Sequence, residues 1–251
     1  MKKLLVVEDN IAYSNAAERY LTSQDYSVTL AQDYTTAMDG LRDYSLDGMV
    51  IDCFFPKSTG SGDIVLGKGL IAHLAADDPR ERKIVEGLEL VGQYVDLEDH
   101  EMRKYARFVI GNSRYEDISK NPIVIAIQKI SMLGKDAVTL LTKNAIGMIY
   151  RESQTQPDYY GALLKAIEES EANQPLGLLI AQRAAELRLP FVLATSTYHH
   201  DLLTQPVQDY ASQRGWRLVD CMPNGENGKA SPVYWERVRS ELETQLQKKD
   251  I

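Results

Sequence analysis

After Met1 the chain runs through two lysines, four apolar residues (Leu4-Leu5-Val6-Val7) and a polar run, Glu8-Asp9-Asn10. A short continuous apolar stretch bounded by polar residues has the pattern of a strand buried on both faces. Asn10 can cap a helix reaching about Leu21, because Ala16, Ala17 and Tyr20 recur at helical spacing. Residues 26–31 alternate as a strand, Asp33 can cap a second helix through Leu41, and Gly48-Met49-Val50-Ile51 predicts another fully apolar strand closed by Asp52. The far end of the chain repeats this order. Residues 176–189 read as a helix, 190–194 as a strand ending in Thr195-Ser196, and 201–213 as a helix stopped by Gly215, with Pro206 limiting where its regular part begins. Residues 216–219 predict a fifth strand and 233–247 an amphipathic last helix.

Strands alternating with helices through short loops predict an α/β fold, a doubly wound parallel sheet of five strands with helices on both faces. The pattern assigns residues 1–58 and 175–251 to one discontinuous α/β domain. Residues 59–174 form a mainly helical insertion, with helical patterns at 87–91, 137–149 and 159–171. Residues 123–127 are apolar and fit either a strand or a buried helical turn. Gly60-Ser61-Gly62 and Ala172-Asn173-Gln174-Pro175 are the expected joints.

Composition narrows the class. With 28 basic and 36 acidic residues, 44% hydrophobic and 25% charged in 251, the chain reads as a soluble globular protein of net charge −8. That balance disfavours direct nucleic-acid binding, which needs clustered Lys and Arg. No apolar run nears the ~20 residues of a membrane span, and the apolar start is too short for a signal peptide. Two cysteines point to a reducing, cytoplasmic setting.

In a doubly wound sheet, chemistry collects at the carboxyl ends of the strands. Glu8 and Asp9 follow the first strand, Asp52 the third, and Thr195 and Ser196 the fourth. Three converging carboxylates repel one another unless a cation sits among them, and hard oxygen ligands suit Mg²⁺. A carboxylate beside Mg²⁺ can also attack phosphorus to form an aspartyl phosphate.

Leu5-Val6-Val7-Glu8-Asp9-Asn10, Met49-Val50-Ile51-Asp52-Cys53-Phe54-Phe55-Pro56 and Phe191-Val192-Leu193-Ala194-Thr195-Ser196 together resemble the receiver domain of two-component response regulators, a flavodoxin-like (CheY-like) fold of strand order 2-1-3-4-5. The resemblance spans roughly the first 58 and last 77 residues and places the insertion between the third strand and third helix. It implies that Asp52 is the phosphoacceptor and that Glu8, Asp9, Asp52 and the Phe54 backbone carbonyl hold Mg²⁺. Thr195, with Ser196 beside it, is then the switch hydroxyl that meets the phosphoryl group. The implied partners are a histidine kinase or phosphotransfer protein as donor and a downstream protein contacted directly. Any enzymatic activity is limited to self-catalysed phosphoryl transfer and autodephosphorylation. The family's lysine before a proline at the end of the fifth strand is replaced here by Met222 before Pro223; Lys229, after Asn224-Gly225-Glu226-Asn227-Gly228, and Lys57 are the lysines that could take its place.

Two other functions fit the same residues: a pseudo-receiver that binds proteins without being phosphorylated, and a Mg²⁺-dependent phosphohydrolase with Asp52 as nucleophile and the insertion as a cap. The chain beyond the last helix is too short for a DNA-binding output domain, and the insertion is expected to cover or flank Asp52. Gly62-Asp63-Ile64-Val65-Leu66-Gly67-Lys68-Gly69 nearly matches a phosphate-binding loop, but Gly69 replaces the required hydroxyl and the loop is apolar, so a turn into a helix is the simpler reading. His199 and His200 lack ligand spacing and read as a solvated helix start. Cys53 and Cys221 follow strands two positions apart, about 9–10 Å, too far for an unstrained disulfide.

Overall fold

The computed structural model describes residues 1–43, 45–78, 159–197, 202–221 and 228–249. Its core is a five-stranded parallel sheet in the order β2-β1-β3-β4-β5. The strands are β1 (Lys2–Val7), β2 (Tyr26–Ala31), β3 (Gly48–Asp52), β4 (Phe191–Ala194) and β5 (Leu218–Val219). Seven helices accompany them among the described residues: α1 (Ile11–Ser23), α2 (Tyr34–Gly40), α3 (Val65–Asp77), α4 (Tyr159–Glu169), α5 (Gly177–Glu186), α6 (Thr204–Gln213) and α7 (Pro232–Lys249). The fold class and strand order are those the apolar pattern and the receiver resemblance predict.

The central strands are apolar at consecutive positions because both their faces are covered. All of β3 is buried, as are Leu4 to Val7 of β1. On one face Leu4, Val6, Val50, Val192, Ala194 and Val219 meet Ala17 and Leu21 of α1 and Tyr234, Trp235, Val238 and Leu242 of α7. On the other, α2 and α5 pack together and against the strands.

Helix starts follow from local chemistry. The Asn10 side chain accepts from the amides of Ala12 and Tyr13, fixing where the chain turns from β1 into α1. Asp33 forms a capping box with Thr36 at the start of α2, and its second oxygen accepts from the Thr59 amide at 3.0 Å. Burial pushes the Asp33 carboxyl up, but the bonds from Thr36 and Thr59 outweigh it and hold it below the usual carboxylate range. Asp33→Ala is therefore expected to lower stability by about 1–2 kcal/mol, measured by urea unfolding, with Asp33→Asn recovering much of the loss. An unchanged midpoint for Asp33→Ala would show that the cap is not a stabilising feature.

β5 and α6 start later than their sequence patterns. β5 starts at Leu218, since only Leu218 and Val219 pair with β4. Trp216 turns its ring edge-on to Phe191 and Tyr210 instead. α6 starts at Thr204, so Pro206 falls in its first turn, where a missing amide hydrogen breaks no helical bond. The patterns at 87–91, 123–127 and 137–149, together with His199, His200, Met222 and Pro223, lie outside the described residues.

The chain forms two compact units, Met1–Ala72 with Tyr159–Ile251, and His73–Asp158. α4 and the first part of α3 thus belong with the sheet; of the second unit only residues 73–78 are described. Within the first unit the two arms of the insertion are pinned together. The Glu171 carboxylate accepts from the Gly60 amide at 2.7 Å and from that of Gly62, both glycines having positive φ. The fully buried Gln174 side chain accepts from the Gly67 amide at 3.1 Å and donates to the Asp63 carbonyl at 3.0 Å. The loop that nearly matches a phosphate cradle therefore meets an anion from its own chain, and α3 begins within it at Val65.

Among the described residues, no helix is long and apolar enough to cross a membrane.

Candidate functional site

The carboxyl ends of the neighbouring strands β1 and β3 bring the acidic residues together. The Glu8 amide extends the ladder by donating to Ala31 at 2.9 Å. Alternation puts Glu8 on the same face as Leu4 and Val6. Asp52, the last residue of β3, lies opposite Ala194 of β4 and is 6% exposed. One oxygen each from Glu8, Asp9 and Asp52 lies within 4.8 Å of the others, forming a buried acidic cluster able to hold a metal ion.

A lysine enters the cluster from the other end of the chain. Lys229 is 1% exposed, and its Nζ lies 2.6 Å from Glu8 Oε2 and 2.7 Å from Asp52 Oδ1. It sits in the turn closed by the Ser231 amide on the Gly228 carbonyl, just before α7. Asp52 Oδ1 also accepts from the Cys53 amide at 2.8 Å, so both of these bonds use the same carboxylate oxygen. Glu8 Oε1 accepts from the Asn10 amide at 3.1 Å.

The charges do not balance. Three ionised carboxylates against one ammonium leave two negative charges in a buried place, an arrangement that draws either protons or a cation. Burial pushes the Asp52 carboxyl well above the carboxylate range, with the Glu8 charge adding to it, while Lys229 pulls the other way. Burial and Glu8 likewise raise Asp9, to about 6. For Lys229, burial favours the neutral amine, but Asp52 and Glu8 outweigh it and keep the ammonium charged. Hard carboxylate oxygens fit a divalent cation such as Mg²⁺ in kind and in charge.

Thr195 follows β4 and is fully buried. Its amide donates to Val219, its carbonyl faces the Tyr234 hydroxyl at 3.0 Å, and its Oγ1 pairs with Thr197 Oγ1 at 2.8 Å. Thr197 in turn bonds the Thr204 hydroxyl at the start of α6. Ser196 is exposed and Phe54 half-buried. Lys57 is engaged by Asp63 at 2.6 Å in a partly exposed pair, so Lys229 is the lysine that meets Asp52.

Both cysteines are free and buried. Burial and the Asp52 charge hold the Cys53 thiol far above its usual range, so it is no nucleophile. Sequence reasoning passed over Tyr234 and Trp235 as parts of the site. Tyr234 sits between the carbonyls of Thr195 and Val219, and Trp235 donates to the carbonyl of Lys229. Adjacent aromatics with polar tips, opening a helix aimed at the sheet, were the available signal.

No protein-family model, curated protein or solved structure matches the chain.

Proposed function

We propose that the chain is a receiver-like phosphoacceptor of a two-component phosphorelay, modified at Asp52 with the help of Mg²⁺. The observation that carries this reading is the ion-paired lysine: a buried ammonium between Glu8 and Asp52, beside Asp9, at the carboxyl edge of a parallel sheet. Lys229 supplies the charge that the receiver pattern places at the end of the fifth strand, although it comes from a different position in the chain.

Asp52 Oδ1 is held by Cys53 and Lys229, which leaves Oδ2 as the attacking oxygen. Oδ2 forms a bond to phosphorus as the bond from phosphorus to the donor's nitrogen or oxygen breaks, and the donor keeps that electron pair. The donor is a phosphohistidine on a kinase or phosphotransfer protein, or a small acyl phosphate. Glu8, Asp9, Asp52 and the Phe54 carbonyl are the groups that would hold Mg²⁺, which supplies charge compensation for the phosphoryl oxygens. In this reading Lys229 would pair with the same oxygens, and the Thr195 hydroxyl, now bonded to Thr197, would turn toward them. The changed surface then acts on a downstream protein.

One observation favours a second reading, a pseudo-receiver that binds proteins without modification: Asp52 is almost fully enclosed and already has a built-in counter-ion. Intact mass after incubation with acetyl phosphate and Mg²⁺ separates the two. The expected result is a gain of one phosphoryl group in the wild type and none in Asp52→Asn. No adduct, and no Mg²⁺ uptake by calorimetry, would leave the pseudo-receiver standing. Steady release of phosphate from small phosphoesters would indicate a hydrolase instead.

A further inference from the structure

Lys229 is not delivered by a strand end. β5 stops at Val219, and the lysine lies further along, in the turn that leads into α7. A lysine has a long, flexible stem, and fixing its head takes roughly 2 kcal/mol of side-chain entropy unless the backbone below it is already fixed. The structure fixes that backbone from one side. The indole Nε1 of Trp235 donates to the Lys229 carbonyl at 2.6 Å, inside the turn that the Ser231 amide closes on the Gly228 carbonyl.

The indole is itself immobilised. Trp235 is fully buried among core residues of α1, α7 and the sheet. The neighbouring Tyr234 ring stands edge-on to it, with centroids 5.4 Å apart. Tyr234 in turn lies with its hydroxyl 3.0 Å from the Thr195 carbonyl and 3.1 Å from that of Val219. The first turn of α7 is thus attached to the ends of β4 and β5 through one aromatic residue and to the lysine through the next.

We propose that Trp235 is a positioning residue for Lys229: its indole N–H holds the lysine's peptide so that the ammonium stands between Glu8 and Asp52. The kinetic consequence rests on the phosphoacceptor reading; the geometric one does not. In a receiver whose lysine is displaced from the end of the fifth strand, this bond takes over the task of fixing it.

Two measurements test the inference. The first is a double-mutant cycle on the rate of phosphoryl uptake from acetyl phosphate with Mg²⁺, using wild type, Trp235→Phe, Lys229→Met and the double variant. Trp235→Phe is expected to slow uptake about tenfold when Lys229 is present and no more than about twofold in the Lys229→Met background. Equal slowing in both backgrounds would mean that Trp235 acts only on general packing and would overturn the inference. The second measurement needs neither a lysine variant nor phosphoryl chemistry. It follows reductive methylation of Lys229 in wild type and Trp235→Phe by peptide mass, with exposed Lys165 and the buried Cys53 thiol as controls. Lys229 is expected to react about tenfold faster in Trp235→Phe, while Lys165 methylation and Cys53 alkylation stay unchanged. Unchanged Lys229 reactivity, or an equal rise at Cys53, overturns the inference. A wild type that takes up no phosphoryl group but shows the Lys229 effect would sink the phosphoacceptor reading alone.

Discussion

Lys229→Met is expected to destabilise the protein by about 3–5 kcal/mol near neutral pH, the range for removing one partner from a buried ion pair. For a unit of this size that corresponds to a melting temperature lower by about 10 °C. The reason is what remains behind. Glu8 and Asp52 are almost fully enclosed, and without the ammonium their charges have no opposite within bonding distance among the described side chains. The loss should depend on pH in a definite direction. Burial already raises Asp52 and Asp9, and Lys229 is a group that pulls both back down. Removing it raises them further. A carboxyl whose folded-state pKa is raised is easily tolerated while protonated and unfavourable once ionised, so the penalty grows as pH rises through the raised value. The gap between variant and wild type should therefore open above about pH 6, where Asp9 ionises in the wild type, and widen further as pH passes about 8, where Asp52 does. Millimolar Mg²⁺ should narrow it at the higher pH, because a cation bound to the folded state stabilises it by mass action. Thermal unfolding across pH, with and without Mg²⁺, checks all three effects. A deficit below about 1 kcal/mol, or one independent of pH, would show that the cluster does not rely on Lys229 for its charge balance.

The same residues explain why the sheet was readable from the sequence and the lysine was not. Leu4 to Val7 and Met49 to Ile51 are continuous apolar runs because helices cover both faces of β1 and β3, and that burial leaves a direct mark on composition. Asn10 and Asp33 cap helices through bonds to residues two or three positions away, so their role is also local. Glu8, Asp9 and Asp52 could be placed together because the order of parallel strands decides which loops share an edge. Lys229 reaches the site through a segment whose length does not dictate its path, and nothing in its neighbours in sequence separates it from Lys57. What distinguishes them is tertiary: Lys57 meets Asp63, whereas Lys229 is held from behind by an indole. The bond from Glu171 to Gly60 and Gly62 is equally silent in sequence, since any glutamate could accept from two glycine amides.

Gly177→Ala is expected to impair both stability and the site, because the first residue of α5 lies directly against the end of β3. A Cβ at this position would stand 2.1 Å from the Asp52 carbonyl oxygen and 2.9 Å from Cys53 Cα. Both are backbone atoms, so no side-chain rotation relieves the overlap. The Gly177 amide also donates to the Cys53 carbonyl at 3.2 Å, and Phe55 pairs with the segment just before α5. Making room for a methyl group means lifting α5 from the strand end and losing that bond. Overpacking of a tight core lowers stability by about 1–3 kcal/mol and sometimes more, and an overlap with fixed backbone belongs at the upper end. The displaced atoms belong to Asp52 itself, so phosphoryl uptake from acetyl phosphate should fall by more than about tenfold in the fraction that remains folded. Gly69→Ala supplies the contrast. Gly69 lies in α3 with nothing within 4 Å of the added carbon. There the substitution should stabilise by about 0.5–1 kcal/mol through helix propensity and leave uptake unchanged. If Gly177→Ala unfolded at the wild-type temperature, the close approach of α5 to Asp52 would not be a constraint on the fold. A stable Gly177→Ala protein with normal uptake would also remove this contact from the account of how Asp52 is held in place.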